Sequence, residues 1–166
     1  MAIGDAHLKT IGLVVVHFAE VERALARFIG FNLLDKAEPD ERLIILNQLS
    51  FRRQLDLLGA LFILRVDNKR LVQSLKSVLR KLASAESTRN QMMHSQWELP
   101  DREVPYTTAR YKPSVDRFKG LRHSFEEMSL TDFRRVTRSF DTAISDLRRL
   151  EDEYWKWKLD RKRKRK

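Results

Sequence analysis

Apolar residues that return every three or four positions over most of the chain constrain its fold more than any other feature. Ile11, Val14, Val15, Phe18, Val21, Leu25, Phe28 and Ile29 keep that spacing, and a period near 3.6 residues lines one side of an α-helix. Gly30 follows at a place suited to a helix C-cap. Glu38-Pro39-Asp40-Glu41 then opens a second segment, with proline in the tolerated first turn and acids at the positive helix end. Its stripe is Ile44, Phe51, Leu55, Leu58 and Phe62.

Asp67 or Asn68 supplies an N-cap for a third helix through Leu71, Leu75, Val78, Leu79 and Leu82. A last helix begins at Ser129-Leu130-Thr131-Asp132, where a hydroxyl is followed three residues later by an acid. Phe133, Val136, Phe140, Ile144, Leu147 and Leu150 repeat from there toward Tyr154 and Trp157. Between the third and last helices, Pro100, Pro105 and Pro113 interrupt the pattern. Residues 97–130 therefore read as a long irregular connection, with at most a short edge ribbon over residues 104–111. The expected fold is all-α, a four- to five-helix antiparallel bundle with that connection between its last two main helices.

A length of 166 residues suits one domain, taken as residues 1–159, followed by a disordered basic tail over 160–166. The chain has no cysteine, which excludes disulfides, thiolate metal sites and a cysteine nucleophile. His7, His17, His94 and His123 are scattered without ligand spacing, so neither a metal nor another cofactor is expected. The first ten residues lack the pattern of a signal peptide, and no apolar run approaches the roughly 20 residues of a membrane span. These features predict a soluble, cytoplasmic protein with no membrane partner.

The net charge is +10. Residues 156–166 hold eight basic residues and one acid, a balance of +7, which leaves only +3 for the rest of the chain. Arg161, Lys162, Arg163, Lys164, Arg165 and Lys166 are thus the candidate nucleic-acid-binding residues. They would be drawn to phosphate by counterion release, with salt-sensitive and sequence-independent affinity. A solubilising end without a dedicated partner is the alternative reading of the same run.

Arg89-Asn90-Gln91-Met92-Met93-His94 places a permanent cation, an amide and an imidazole near the end of the third helix. A looser match, Arg117 with His123, lacks the asparagine directly after arginine. Arg89 stands eighteen residues beyond Leu71, about five full turns, and so shares the angle of the apolar stripe. An interior guanidinium requires a partner, either a carboxylate such as Glu20 or Glu22 or the phosphate of a ligand. Asn90 and His94 share one helix face, about 40° apart, whereas Arg89 lies about 140° from His94. Convergence on one phosphate then needs an unwound helix end or two protomers meeting about a twofold axis.

Arg-Asn followed by three residues and histidine, near the end of a long helix in a four-helix chain, resembles the HEPN superfamily. The resemblance implies a metal-independent endoribonuclease, often a toxin or defence effector, working as a homodimer whose motifs converge in one cleft. Arg89, Asn90 and His94 would be its catalytic set, RNA its substrate, and an antitoxin a partner. The chemistry is coherent. Attack by a ribose 2′-OH needs a proton acceptor, for which histidine with its ordinary pKa of about 6.5 is suited. It also needs stabilisation of charge on phosphorus, which a planar guanidinium supplies and Asn90 would help to orient. Two other classes stay open: a non-catalytic helical nucleic-acid-binding protein, and a protein-interaction module. Trp155 and Trp157, beside the basic run, offer rings for stacking but lie on different helix faces.

Overall fold

The computed structural model describes residues 5–98, 107–116 and 120–164. Five helices and three strands follow in the order α1 (Asp5–Phe28), α2 (Pro39–Asn47), α3 (Phe51–Arg65), α4 (Lys69–Met93), β1 (Gln96–Glu98), β2 (Thr107–Asp116), β3 (Gly120–Ser129) and α5 (Leu130–Arg163).

Side-chain oxygens set several helix starts. Asn68 Oδ1 accepts from the N–H groups of Arg70 and Leu71 at 2.9 and 3.2 Å, satisfying two of the free donors that open α4. Ser129 and Asp132 cap α5 reciprocally: Ser129 Oγ accepts from the Asp132 N–H at 3.3 Å, and Asp132 Oδ2 accepts from the Ser129 N–H at 3.0 Å. These bonds, the hydroxyl bond from Ser129 first among them, hold the Asp132 carboxyl below its ordinary pKa.

Two local expectations are corrected. Gly30 does not end the first helix, because residues Ile29–Leu33 continue it as a π-turn in which the Leu34 N–H reaches Ile29 O at 2.9 Å. The second segment is not one helix. Ser50 opens α3 by accepting from the Arg53 N–H, and Ile44, on the separate α2, is 65% exposed and outside the core stripe.

Buried rings join the helices. Phe18 on α1 meets Phe51 on α3 at 5.1 Å and Phe140 on α5 at 5.8 Å. Ten residues further along α1, Phe28 meets Phe62 and Tyr154 at 6.3 and 6.2 Å. Each fully buried ring of this kind stabilises the fold by about 1.5–3 kcal/mol. The paired numbers rise together, so α1, α3 and α5 run in one direction. The long helix α4 opposes them, with Asp67 beside Arg161 and Lys81 beside Asp146.

Successive helices α3, α4 and α5 thus alternate in direction, while α1 and α3 are parallel because the chain turns back between them over residues 29–50. The long irregular connection is corrected. Strands β1, β2 and β3 form an antiparallel sheet in that order, and β2 and β3 pair over all ten residues of each. Pro113 is accommodated because β1 covers β2 only from Ala109 to Tyr111, so the strand is paired on one side there. Gly120 takes a left-handed φ of 72° where β3 begins, a conformation that favours glycine. Part of the ribbon expected over 104–111, together with Pro100 and Pro105, lies outside the described residues. The fold is mostly helical, with this small sheet attached at one end. No helix among the described residues is long and apolar enough to cross a membrane.

Candidate functional site

Arg89 occupies the interior-facing position expected of it. It is half-buried in the last part of α4, with its guanidinium 5.4 Å from the centre of the Phe18 ring on α1. Its Nη1 donates to Asn90 Oδ1 at 2.9 Å, and its Nε is buried without a partner among the described residues. The candidate carboxylates are corrected: Glu20 and Glu22 are exposed, and Arg89 makes no ion pair with a described residue. A neutral amide and an aromatic face thus hold this cation in place of a counter-ion.

Asn90 is drawn toward Arg89 and does not pair with the imidazole face, although its angle around the helix is closer to His94. His94 caps the helix: its N–H donates to Asn90 O at 3.1 Å, and its exposed side chain has no hydrogen bond or ion pair among the described residues. The structure brings Arg89 and Asn90 together and leaves the imidazole outside that pair.

The turn that presents His94 is pinned from below. Trp97 donates its indole N–H to Met92 O at 2.9 Å and packs its ring on Phe133 at 5.4 Å. Met92 is buried and Ser95 bonds back to Gln91 O. From the sheet, Arg110 pairs with Glu126 across β2 and β3 and reaches Gln91 Oε1 on α4 at 3.4 Å. Sequence reasoning missed Trp97, Arg110 and Phe18 as surroundings of the motif. The strand pairing that sets Arg110 opposite both Trp97 and Glu126 depends on a hairpin hidden by its proline.

His17 makes a separate contact, with its Nδ1 at 3.2 Å from Asp141 Oδ1, and takes no part in the motif. His123 stands on β3 opposite Pro113, and Arg117 lies outside the described residues. No group of three or more His, Cys, Asp or Glu among the described residues has the arrangement of a metal site.

The basic segment departs from the expected disordered tail. Residues 160–163 complete α5, with Lys164 as its C-cap, while Arg165 and Lys166 lie outside the described residues. The helix persists because its cations find partners on other elements and favour the negative end of the helix dipole. Arg161 pairs with Asp67 at 3.1 Å and lies over the Trp157 ring at 5.3 Å. Lys158 reaches Asp35 at 3.0 Å and covers the Trp155 ring at 4.9 Å.

Since Arg161 meets the residue that precedes Asn68, the basic segment lies at the start of α4. Arg89 is twenty residues beyond Lys69 along one continuous helix, roughly 30 Å away. The described residues of the two candidate sets therefore occupy opposite ends of the bundle. Comparison of this chain with protein families, curated proteins and solved structures finds no match.

Proposed function

We propose that the protein is a metal-independent endoribonuclease of HEPN type, acting in the cytoplasm as a toxin or defence effector. The observation that carries the reading is Arg89, a half-buried cation next to an accessible helix end with no carboxylate partner among the described residues. A desolvated guanidinium held by an amide keeps its charge for an incoming anion, and a phosphate oxygen is the acceptor its planar fork fits.

In this reading, His94 takes the proton from the ribose 2′-OH and the oxygen attacks the adjacent phosphorus. The P–O5′ bond breaks and the departing oxygen takes a proton from water, leaving a 2′,3′-cyclic phosphate and a 5′-hydroxyl. Arg89 stabilises the extra negative charge on the pentacoordinate phosphate, and Asn90 orients the guanidinium it already bonds. His94 and Arg89 point different ways on one protomer, which supports a composite groove in which a homodimer brings one copy's imidazole to the other's arginine. An antitoxin would act by covering that groove.

The test is cleavage of single-stranded RNA in excess EDTA, with end-group analysis of the fragments and DNA of the same sequence as control. His94→Ala is expected to abolish cutting, Asn90→Ala to slow it, and His123→Ala to leave it unchanged. Parent-rate cutting by folded His94→Ala, or a requirement for added magnesium, refutes the mechanism. A specific observation also favours binding without cleavage: the concentration of cations at the far end of the bundle, where no imidazole among the described residues lines the surface.

A further inference from the structure

The last turns of α5 separate two depressions, and their charges differ. On one side, three carboxylates, Asp67, Glu153 and Asp160, stand among four cations. On the other, a cleft of about 490 Å³ is lined by Lys36, Arg65, Lys158, Arg161 and Lys162, with Asp35 as its one carboxylate. Arg161 lines both sides and pairs with Asp67 on the first; with that ion pair left to the first side, the net balance is +1 there and +3 on the second. The C-termini of α3 and α5 meet here, and their dipoles favour a cation or two. They do not require five around a single acid.

The cations of the second cleft are also prearranged. Asp35 takes Arg65 at 3.1 Å and Lys158 at 3.0 Å, so one negative charge fixes two positive groups and neutralises only one of them. Burial opposes ionisation of Asp35, but the bonds from Lys158 and Arg65 outweigh it and hold its carboxyl below the ordinary value. Arg161 is fixed by Asp67 and by the Trp157 ring. Lys36 and Lys162 are exposed and have no ion pair among the described residues.

We propose that this cleft binds the phosphate backbone of single-stranded RNA, with Lys36 and Lys162 making contacts to phosphate and Arg65, Lys158 and Arg161 holding the positive potential between them. The half-buried Trp157 also lines the cleft, giving aromatic surface that accepts bases without regard to sequence, whereas Tyr154 beneath it is buried. Its concave form suits a strand. The inference deepens the proposed function by naming where the strand is held, and it does not depend on cleavage.

The experiment measures fluorescence anisotropy of labelled oligouridine across a salt series, using full-length protein in a His94→Ala background so that cutting does not interfere. Lys36→Gln with Lys162→Gln removes the two unpaired cations. Lys156→Gln with Lys164→Gln removes the same charge from the opposite depression, and circular dichroism confirms that both variants fold. Loss of two phosphate contacts is expected to lower the slope of log affinity against log salt by about 1.4 in the first variant, with a change less than half as large in the second.

Equal losses in the two variants would reduce the effect to diffuse net charge and overturn the proposal. Parent-like binding by the first variant would also overturn it. So would lysine-dependent binding to phosphatidylserine vesicles with none to oligouridine. Binding that follows the expected pattern, in a protein whose His94 form never cuts RNA, would support the cleft while refuting the ribonuclease.

Discussion

Replacing Arg89 by methionine separates a functional arginine from a structural one. Removing one member of a buried ion pair strands the other charge and destabilises a protein by about 3–5 kcal/mol. Arg89 strands no carboxylate among the described residues, because it is held by Asn90 Oδ1 and the Phe18 ring. The substitution forfeits the contact with the ring, about 1 kcal/mol, and the bond to Asn90, about 1.5 kcal/mol. It relieves the buried, unpartnered Nε, an unmade hydrogen bond that costs about 1–3 kcal/mol, and places a thioether against Phe18, a contact worth about 0.3–1.5 kcal/mol. Losses of about 2.5 kcal/mol against gains of about 1.3–4.5 kcal/mol leave at most about 1 kcal/mol of destabilisation, which for a chain of this size lowers Tm by no more than about 4 °C. Cleavage should nevertheless fall by about 10²–10³, the loss typical of one donor to a developing oxyanion. Calorimetry and a single-turnover RNA assay on Arg89→Met check both halves. A loss of stability above about 3 kcal/mol, or parent-rate cleavage by the folded variant, refutes the assignment.

Trp97→Ala removes the ring from Phe133 and the indole bond to Met92 O. Since Trp97 is only half-buried, the expected loss is about 2 kcal/mol, below the roughly 3–5 of a fully buried aromatic, and urea denaturation measures it. Cleavage should fall further than stability explains, because the turn carrying His94 loses its pin. Undiminished cleavage by the folded variant removes Trp97 from support of the site. Burial opposes ionisation of Asp35, but Lys158 and Arg65 outweigh it and hold its carboxyl below the ordinary carboxylate value, so it contributes stability that is present above that ordinary value and lost as pH falls through the lower folded one. Thermal melts from pH 5 downward should therefore show the parent converging on Asp35→Asn, and parallel curves would remove the triad from the acid response.

Helices were legible wherever one face is buried and a polar cap precedes it. Asn68 and Ser129 announce α4 and α5 by the bonds they make, and the stripes through Leu71 and Phe133 predict their buried sides. Direction was less legible. Short connections suggest antiparallel neighbours, but the apolar stripe of α1 does not record which way α3 runs against it, and the contacts of Phe18 and Phe28 supply that. The hairpin escaped because Pro113 reads as a break, whereas its missing donor does no harm on a stretch paired on one side. Ile44 escaped for the opposite reason: its spacing continues the stripe of Phe51 and Leu55, but Ser50 starts a new helix and resets the angle.

Of the candidate site, the sequence revealed which residues lie near one another in the chain and whether they face inward. It placed Arg89 toward the interior from a count of turns, and the structure agrees. It named Glu20 and Glu22 as partners because it had no means of weighing a ring face and an amide against a carboxylate. The basic run was legible as charge alone. That it is helical as far as Arg163, with Lys158 paired to Asp35 and Arg161 to Asp67 and roughly 30 Å from Arg89, follows only from packing α5 against the opposed α4. Within one protomer, then, the basic run cannot deliver its own charge to the phosphate that Arg89 would receive, because screening over that distance leaves little interaction. On the proposed reading, strand binding and cleavage are therefore separable contributions, one governed by salt and the other by the presence of the His94 imidazole.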